Sequence, residues 1–460
     1  MFRSVANGFV TFFSSVFSGF ESPQERKKFS ILAVLFGLTI GVYWVLRALK
    51  DGVFITMVGT NWQPTAKMIV MVAIVPLVLS YEWLVSRYSR HQMLYGISMF
   101  YAVLTAVFAY FILHPTIGMG NTVADTHRYL GWLFYVFVES FGAIMVMLFW
   151  SFVADTTTPE SAKRGYSLIV FGAQLGGIVG PLLAQMVMPE EGLMNIQQNV
   201  NGSGKATMIC VVVLMMIPLV VYYFMHNVSK DQMKGFHGDY KKPLEGTAKP
   251  GFFEGLRLLI TKPYMLGIFI VISFYQIILT FLDFQFKVLA GKAYVGDALT
   301  LYLFKYSVWT NILATACIVF GAGKIANRLG LAKTLILLPI LISIAVVTLY
   351  FNPVLHIALV IMMFTRGVNY ALNQPAKEQL YIPTTKDSKY KGKAWIDGFG
   401  SRFSKGLGSL INDRAAALGP QLFACLTLTI SFGLVGVWIF AALFLGKTHA
   451  QAVKEDRPVC

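Results

Sequence analysis

Apolar runs of about 20 residues recur along the whole chain, and they constrain its fold more than any other feature. A helix needs about 20 mostly apolar residues to cross the hydrocarbon core of a bilayer. Only 13% of the 460 residues are charged, which is about half the fraction typical of a soluble domain. The sequence therefore predicts an all-α membrane protein that crosses the bilayer many times.

Twelve transmembrane spans are predicted from these runs. They cover residues 29–49, 67–86, 93–113, 130–153, 166–188, 206–225, 263–283, 300–322, 333–351, 354–373, 394–412 and 421–446. The loops between them alternate between sequences rich in Lys and Arg, such as 86–91 and 386–393, and sequences nearly free of both. Because cytoplasmic loops carry the excess of Lys and Arg, both termini are predicted to be cytoplasmic.

A long basic linker divides the predicted spans into two sets of six. Twelve spans in two halves are the plan of major-facilitator transporters, whose substrate site is expected near mid-bilayer between the halves. In the first segment, Phe2, Phe9, Phe13, Val16 and Phe20 lie close to one helical face, which predicts an amphipathic helix on the membrane surface. The predicted organisation is an amphipathic segment 1–28, a first half 29–225, a linker 226–262, a second half 263–446 and a cytoplasmic tail 447–460.

The sequence offers little for catalysis or metal binding. Cys210, Cys317, Cys425 and Cys460 lie singly, a spacing that suits neither a metal site nor a disulfide framework. The stretch "NGSGKAT" at 201–207 lacks the upstream glycine and the final Ser or Thr of a phosphate-binding loop. We therefore predict no cofactor, no metal and no enzymatic activity. Much of the net charge of +16 is explained by topology rather than by nucleic-acid binding.

Glu139 lies near the centre of the fourth predicted span, where an ionised side chain is costly unless it is paired, hydrated or functional. Its own span offers no cation. A coupling or gating carboxylate is the favoured interpretation, and a protonated structural carboxyl is the alternative.

The first predicted span ends in "VYWVLRALKDGVF", in which Tyr43, Arg47 and Lys50 share one helical face. Snorkelling of the cations to the interface is the alternative to a functional role, and Asp51 is placed to neutralise Lys50.

The tenth span repeats this pattern with a polar stripe that should face a cavity rather than lipid. It consists of Arg366, Asn369, Asn373 and Lys377. Pro375 is expected to bend this helix.

The eleventh predicted span has three faces of different chemistry. The small face carries Gly400, Ser404 and Gly408, the apolar face Phe399, Phe403 and Leu407, and the polar face Asp397, Ser401, Arg402 and Lys405. The small face is suited to close helix contact, and the polar face is suited to lining a pathway. The alternative is a structural helix in which Asp397 pairs with Arg402 or Lys405.

Asp283 and Lys287 close the seventh span, and Lys305 lies early in the eighth. Each is either a solvated helix end or a functional charge. In the fifth span, Gly172, Gly176 and Gly180 have the spacing of a helix-packing motif.

Embedded cations outnumber embedded acids, so a cavity that they line would concentrate anions. Arg binds phosphate through two hydrogen bonds, and Lys supplies a point charge. Several such cations suit a nucleoside di- or triphosphate. Its base could stack on nearby aromatic rings, namely Tyr43, Trp44, Tyr370 and Trp395.

Three stretches resemble one known family, the nucleotide transporters typified by ATP/ADP translocases of plastids and obligate intracellular bacteria. They are "RALKDGVF", "VESFGAIMVMLFWSFVADTTTPESAKRGY" and "QPAKEQLYIPTTKDSKYKGKAWIDGFGSRFSKGLGSLI". The resemblance implies a major-facilitator-like fold and carrier-type nucleotide transport. It also implies that Lys50, Glu139, Asp283 and Lys377 occupy positions of functional charges.

The leading hypothesis is a carrier that exchanges ATP for ADP across a bacterial inner membrane by alternating access. Two alternatives stay open: net nucleotide import coupled to protons through Glu139 or Asp283, and a major-facilitator exporter of organic anions or drugs. The expected partners are a nucleotide and the lipid bilayer. One copy of the fold suffices for a carrier, so a monomer is expected.

Overall fold

The computed structural model describes residues 19–188, 201–233, 252–320, 329–385, 392–396, 400–455 and 459. Within these ranges, all regular secondary structure is helical. The predicted amphipathic helix falls mostly on residues 1–18, and it lies outside the described residues together with Asp397 and Phe399.

Helices make up most of the described ranges. In chain order they are α1 (Pro23–Met57), α2 (Gln63–Arg87), α3 (Arg90–Leu113), α4 (Tyr129–Asp155), α5 (Pro159–Gln185), α6 (Gly202–Asn227), α7 (Phe252–Thr261), α8 (Pro263–Ala293), α9 (Asp297–Phe320), α10 (Leu331–Phe351), α11 (Leu355–Val368), α12 (Gln374–Leu380), α13 (Lys393–Trp395), α14 (Ser401–Asn412), α15 (Ala415–Leu418) and α16 (Pro420–Glu455). A 3-10 turn, Thr60–Trp62, precedes α2. A π-helical turn, Asn369–Asn373, joins α11 to α12.

Nine helices in the described part of the chain are long and apolar enough to cross a membrane. They are α1 to α6, α8, α10 and α16. This confirms the prediction of an all-α, multi-pass membrane protein. The count of twelve spans stays a prediction for two reasons. The helix of the eighth predicted span, α9, is not among the nine, and the described parts of the tenth and eleventh predicted spans form several shorter helices.

The tenth predicted span changes helix type in its middle. α11 ends at Val368, the π-helical turn follows, and α12 begins at Gln374 with a proline in its first turn. Pro375 has no backbone N–H and cannot donate to a carbonyl one turn earlier. Single π-helical turns within helices are frequent at functional sites, and this turn holds two residues of the predicted polar stripe.

The chain forms two compact units, each built from more than one stretch of sequence. Unit 1 comprises Met1–Thr60, Val72–Pro243 and Gly291–Ile312. Unit 2 comprises Asn61–Met71, Leu244–Ala290 and Leu313–Cys460. The first turns of α2 therefore belong to unit 2, and α9 belongs to unit 1 as far as Ile312.

In unit 1, α1 and α5 approach closely through glycines. A Cβ atom added to Gly41 would lie 3.2 Å from the carbonyl oxygen of Gly176, and one added to Gly180 would lie 2.6 Å from that of Gly41. Since real Cβ atoms essentially never approach as near as the second distance, larger residues would separate the helices. The predicted role of the glycine motif in packing is confirmed.

In unit 2, α14 packs against α8 through its small face. Ser404 and Gly408 are buried, and a Cβ atom added to Gly408 would lie 3.0 Å from Cβ of Thr280. The Asn412 amide donates a hydrogen bond of 3.1 Å to the backbone carbonyl of Thr280. The prediction of a small face for close helix contact is confirmed for these residues.

Candidate functional site

Lys50 is buried in unit 1 and lies between two carboxylates and an aromatic ring. Its Nζ atom lies 2.5 Å from Oε1 of Glu139 and 3.6 Å from Oδ1 of Asp51. The same atom lies 4.2 Å from the centroid of the Tyr135 ring. A buried ammonium group needs such partners, because its loss of hydration costs several kcal/mol. Lys50 is therefore enclosed by other side chains of unit 1.

Glu139 is the partner that connects α4 to this lysine. Its own helix supplies no cation, and the cation comes from α1 instead. The Glu139 side chain keeps 41% of its surface accessible, whereas that of Lys50 keeps 5%. The carboxylate can therefore meet a second charged group without unfolding of α4.

Tyr43 and Arg47 continue the same face of α1 at its half-buried positions. The Tyr43 ring lies so close to Gly142 of α4 that an added Cβ atom there would meet it at 2.6 Å. The Arg47 guanidinium lies 5.0 Å from the centroid of the Trp44 ring. Trp44 is thus engaged with a cation, and Tyr43 lies on the side of α1 that faces α4.

In unit 2, one carboxylate contacts three cations. Oδ1 of Asp283 accepts a hydrogen bond of 2.9 Å from Arg366. Oδ2 of the same carboxylate lies 2.8 Å from Nζ of Lys287 and 3.2 Å from Nζ of Lys67. We call these residues the Asp283 group: Lys67, Asp283, Lys287 and Arg366.

Lys67 is a member of this group that was not predicted from the sequence. It is the first residue of the second predicted span, where a lysine looks like an ordinary helix end. However, that end is predicted to face away from the cytoplasm, where Lys and Arg are depleted. A lysine on the side of the membrane where few are expected is the sequence feature that could have indicated a role for Lys67.

The polar stripe of the tenth predicted span lies on the buried side of its helix. Arg366, Asn369, Asn373 and Lys377 are all buried. The Asn373 amide donates a hydrogen bond of 2.8 Å to Oδ1 of Asn369. Oδ1 of Asn373 is itself buried and accepts no hydrogen bond from the described residues. Oδ1 of Asn373 could therefore accept a hydrogen bond from a group outside the described residues.

Three further predicted residues of unit 2 lie on α13 and α14. Arg402 is half-buried and Lys405 is exposed on α14, and neither is among the three cations that contact Asp283. Trp395 is buried edge-on to Phe269, with ring centroids 5.6 Å apart. The exposed Lys305 lies on α9.

Each unit therefore holds cations inside a membrane-spanning helical protein. Three cations around one carboxylate leave a local surplus of positive charge in unit 2. Arg and Lys together provide the donors that bind oxyanions with several oxygens. The arrangement is suited to a ligand with several negative charges.

Solved transporter structures share this fold. One is a bacterial homologue of the human lysosomal transporter Spinster, with 15% sequence identity, coverage of 95% of this chain and 99% of that chain, and a TM-score of 0.58. Another is a D-xylose–proton symporter, with 14% identity, coverage of 91% and 96%, and a TM-score of 0.59. They show the major-facilitator-like fold that the sequence predicted.

Sequence relatives extend over nearly the whole chain. ADP,ATP carrier protein 1 of Rickettsia bellii is 24% identical, covering 94% of this chain and 95% of the relative. ADP,ATP carrier protein 1 of Chlamydia muridarum is also 24% identical, with coverage of 94% and 91%. The sequence model described as TLC ATP/ADP transporter matches residues 6–449. The protein therefore belongs to the TLC ATP/ADP transporter family.

Proposed function

We propose that this protein is a carrier that exchanges ATP for ADP by alternating access. The observation that carries the proposal is the match of the ATP/ADP transporter family to residues 6–449. Relatives of similar length are named ADP,ATP carrier proteins. The protein acts as a carrier and not as an enzyme, and nucleotide passes through it chemically unchanged.

Positively charged and polar residues of both units are proposed to bind the nucleotide. Their common property is a side-chain hydrogen-bond donor. They are Tyr43, Arg47, Lys50, Arg366, Asn369, Asn373, Lys377, Arg402 and Lys405. The cations are proposed to bind the phosphates, because charge-assisted hydrogen bonds to phosphate are about twice as strong as neutral ones.

A second set of charged residues is proposed to act in coupling or gating. It consists of Glu139, Asp283, Lys287 and Asp397. Glu139 illustrates the role, because it contacts Lys50 at 2.5 Å and keeps 41% of its side chain accessible. A phosphate that binds Lys50 would take over part of the charge that Glu139 neutralises. Nucleotide binding would then change the Lys50–Glu139 ion pair between α1 and α4. This change is proposed to couple substrate binding to the conformational change of the carrier.

The proposed setting is a bacterial inner membrane, with lipid around the apolar helices and both termini in the cytoplasm. The charge alternation of the loops supports this orientation. We propose two six-helix halves, 29–225 and 263–446, joined by the cytoplasmic linker 226–262. A monomer is the proposed functional unit.

Uptake by intact bacterial cells that express this protein tests the proposal. Cells should accumulate radiolabelled ATP, and a later excess of unlabelled ADP outside should release the label by exchange. Cells without the protein provide the background. Absence of nucleotide uptake, with the protein present in the membrane, would contradict the proposal and favour an exporter of other organic anions.

A further inference from the structure

We propose that Lys67 is a further phosphate-binding residue of the carrier, and that the Asp283 carboxylate is the counter-ion which a nucleotide phosphate replaces there. This inference rests on the proposed function and deepens it. It assigns a binding role to a residue on α2, a helix without any other predicted site residue.

The cations of the Asp283 group surround the carboxylate as they would surround an oxyanion ligand. Arg366 donates to one oxygen at 2.9 Å. Lys287 and Lys67 approach the other oxygen, at 2.8 and 3.2 Å. Donors thus converge on both oxygens from three different side chains. The contact to Lys67 is the longest of these.

A phosphate would satisfy these cations better than Asp283 does. The carboxylate offers two oxygens and one negative charge to three positive charges. A phosphate group offers three oxygens and about −1.5 to −2 charges near pH 7. Replacing the carboxylate by phosphate therefore brings the group closer to neutrality and gives each cation an oxygen of its own.

Lys67 is better placed to reach a ligand than the other two cations. Its side chain keeps 19% of its surface accessible, against 7% for Lys287 and 9% for Arg366. A lysine ammonium group lies on a flexible four-carbon stem. It can follow a phosphate without movement of the backbone of α2.

The two partners of the Lys67–Asp283 contact come from different halves of the sequence, on either side of the predicted linker. Lys67 precedes residues 226–262, and Asp283 follows them, with a separation of 216 positions between the two partners. A phosphate held by Lys67 and Arg366 would thus bind residues from both sequence halves. Both residues belong to unit 2, so the ligand would bind within one compact unit.

Lys67 could instead serve only to fix α2 to α8 through its ion pair with Asp283. This alternative makes a different prediction for the double variant Lys67→Gln/Asp283→Asn. A purely structural lysine would cost no nucleotide affinity once its partner is already neutral, so the double variant would bind ATP as well as Asp283→Asn alone. A phosphate-binding lysine would still cost about tenfold in that background.

Equilibrium binding of ATP and of adenosine to the purified full-length protein in detergent tests the inference. The variants are Lys67→Gln, Lys67→Arg, Asp283→Asn and the double variant. Lys447→Gln removes an exposed lysine of unit 2 and is the matched control. We expect Lys67→Gln to weaken ATP binding about tenfold, the effect of losing one charge-assisted hydrogen bond. Adenosine binding should stay unchanged, and Lys67→Arg should keep most of the affinity for ATP.

The outcomes separate this inference from the proposed function. If the wild-type protein binds ATP and Lys67→Gln binds it equally well, the role of Lys67 is refuted while the carrier stands. Equal ATP affinity in the double variant and in Asp283→Asn would also refute it, in favour of the structural pair. If Lys67→Gln does not fold, the comparison of the double variant with Asp283→Asn decides, and weaker ATP binding in the double variant with unchanged adenosine binding supports the inference. A wild-type protein that binds no nucleotide would contradict both the role of Lys67 and the proposed carrier function.

Discussion

The Nζ atom of Lys50 on α1 lies 2.5 Å from Oε1 of Glu139 on α4, although the two residues are 89 positions apart in the sequence. The pair connects a buried cation of unit 1 with the acid at the centre of a membrane span. The sequence of α4 contains no Lys or Arg, so Glu139 depends on another helix for a positive partner. The helix pair α1 and α4 therefore relies on this contact for charge balance inside the membrane.

Replacing Lys50 by Gln is expected to lower ATP/ADP exchange by at least about tenfold. The substitution keeps a polar side chain of similar length but removes the charge, and a hydrogen bond to a charged group contributes about 1.5–3 kcal/mol. Initial exchange rates in proteoliposomes measure the effect, with Lys447→Gln as the control for loss of one exposed lysine. A folded Lys50→Gln protein that exchanges at the wild-type rate would remove Lys50 from the proposed site.

The double variant Lys50→Gln/Glu139→Gln separates stability from transport. It removes both charges, so it should melt closer to the wild-type temperature than Lys50→Gln does, because Asp51 alone loses its cation instead of both Asp51 and Glu139. Exchange should stay low. Thermal unfolding of the detergent-purified proteins and exchange rates give the two readouts, and recovery of both would mean that the pair is only structural.

Asp283→Asn is expected to lower the unfolding temperature. It leaves three cations without the carboxylate that they share, and removing one partner of a buried ion pair costs about 3–5 kcal/mol. Pyrophosphate should raise the unfolding temperature of this variant more than that of the wild type, since it can replace the lost charge. Asp283→Glu keeps the charge and should be less affected. An unchanged unfolding temperature in Asp283→Asn would show that the cations do not depend on this carboxylate.

Gly176→Val is expected to destabilise unit 1 by about 1–3 kcal/mol, the usual cost of overpacking. A Cβ atom on Gly176 would collide with the backbone of Gly37 on α1, and backbone atoms cannot turn aside as a side chain can. Gly96→Ala on α3 is the matched control, because a Cβ atom there meets nothing within 4 Å. Thermal unfolding compares the two, and equal behaviour would contradict the tight packing of α1 on α5.

Asp297→Ala is expected to destabilise the protein by about 1 kcal/mol, the typical effect of losing a helix cap. From α9, the Asp297 carboxylate accepts hydrogen bonds from the backbone N–H groups of Gly202 at 2.6 Å and Ser203 at 3.0 Å. These are the first residues of α6, whose N–H groups have no partners within their own helix. Hydrogen exchange of these amides should accelerate in Asp297→Ala and less in Asp297→Asn. Unchanged exchange would mean that the cap contributes nothing.

Local sequence patterns predicted the helices and their packing faces well. The apolar runs placed most of the membrane-spanning helices to within a few residues, because hydrophobic length is a property of a contiguous stretch. The spacing of Gly172, Gly176 and Gly180 identified the face of α5 that contacts α1, since residues four apart share a helix face. The buried face of α14 followed from the same rule.

The contacts between charged residues were only partly predictable. Lys50 and Glu139 each stood out as costly in a membrane, but nothing local in the sequence said that they pair. Lys67 was missed because its role depends on Asp283, 216 positions away. The π-helical turn Asn369–Asn373 has no periodicity of its own, and only Pro375 indicated that the helix changes there.

The most direct measurement is uptake of radiolabelled ATP into proteoliposomes that contain the purified protein. One set is loaded with ADP, a second is empty, and a third is empty with an inward proton gradient. An exchange carrier predicts rapid uptake only with internal ADP, and release of one ADP for each ATP that enters. Uptake into empty vesicles that rises with the proton gradient would contradict exchange and make Glu139 and Asp283 candidates for proton coupling. No uptake of any nucleotide in any set would contradict nucleotide transport by this protein altogether.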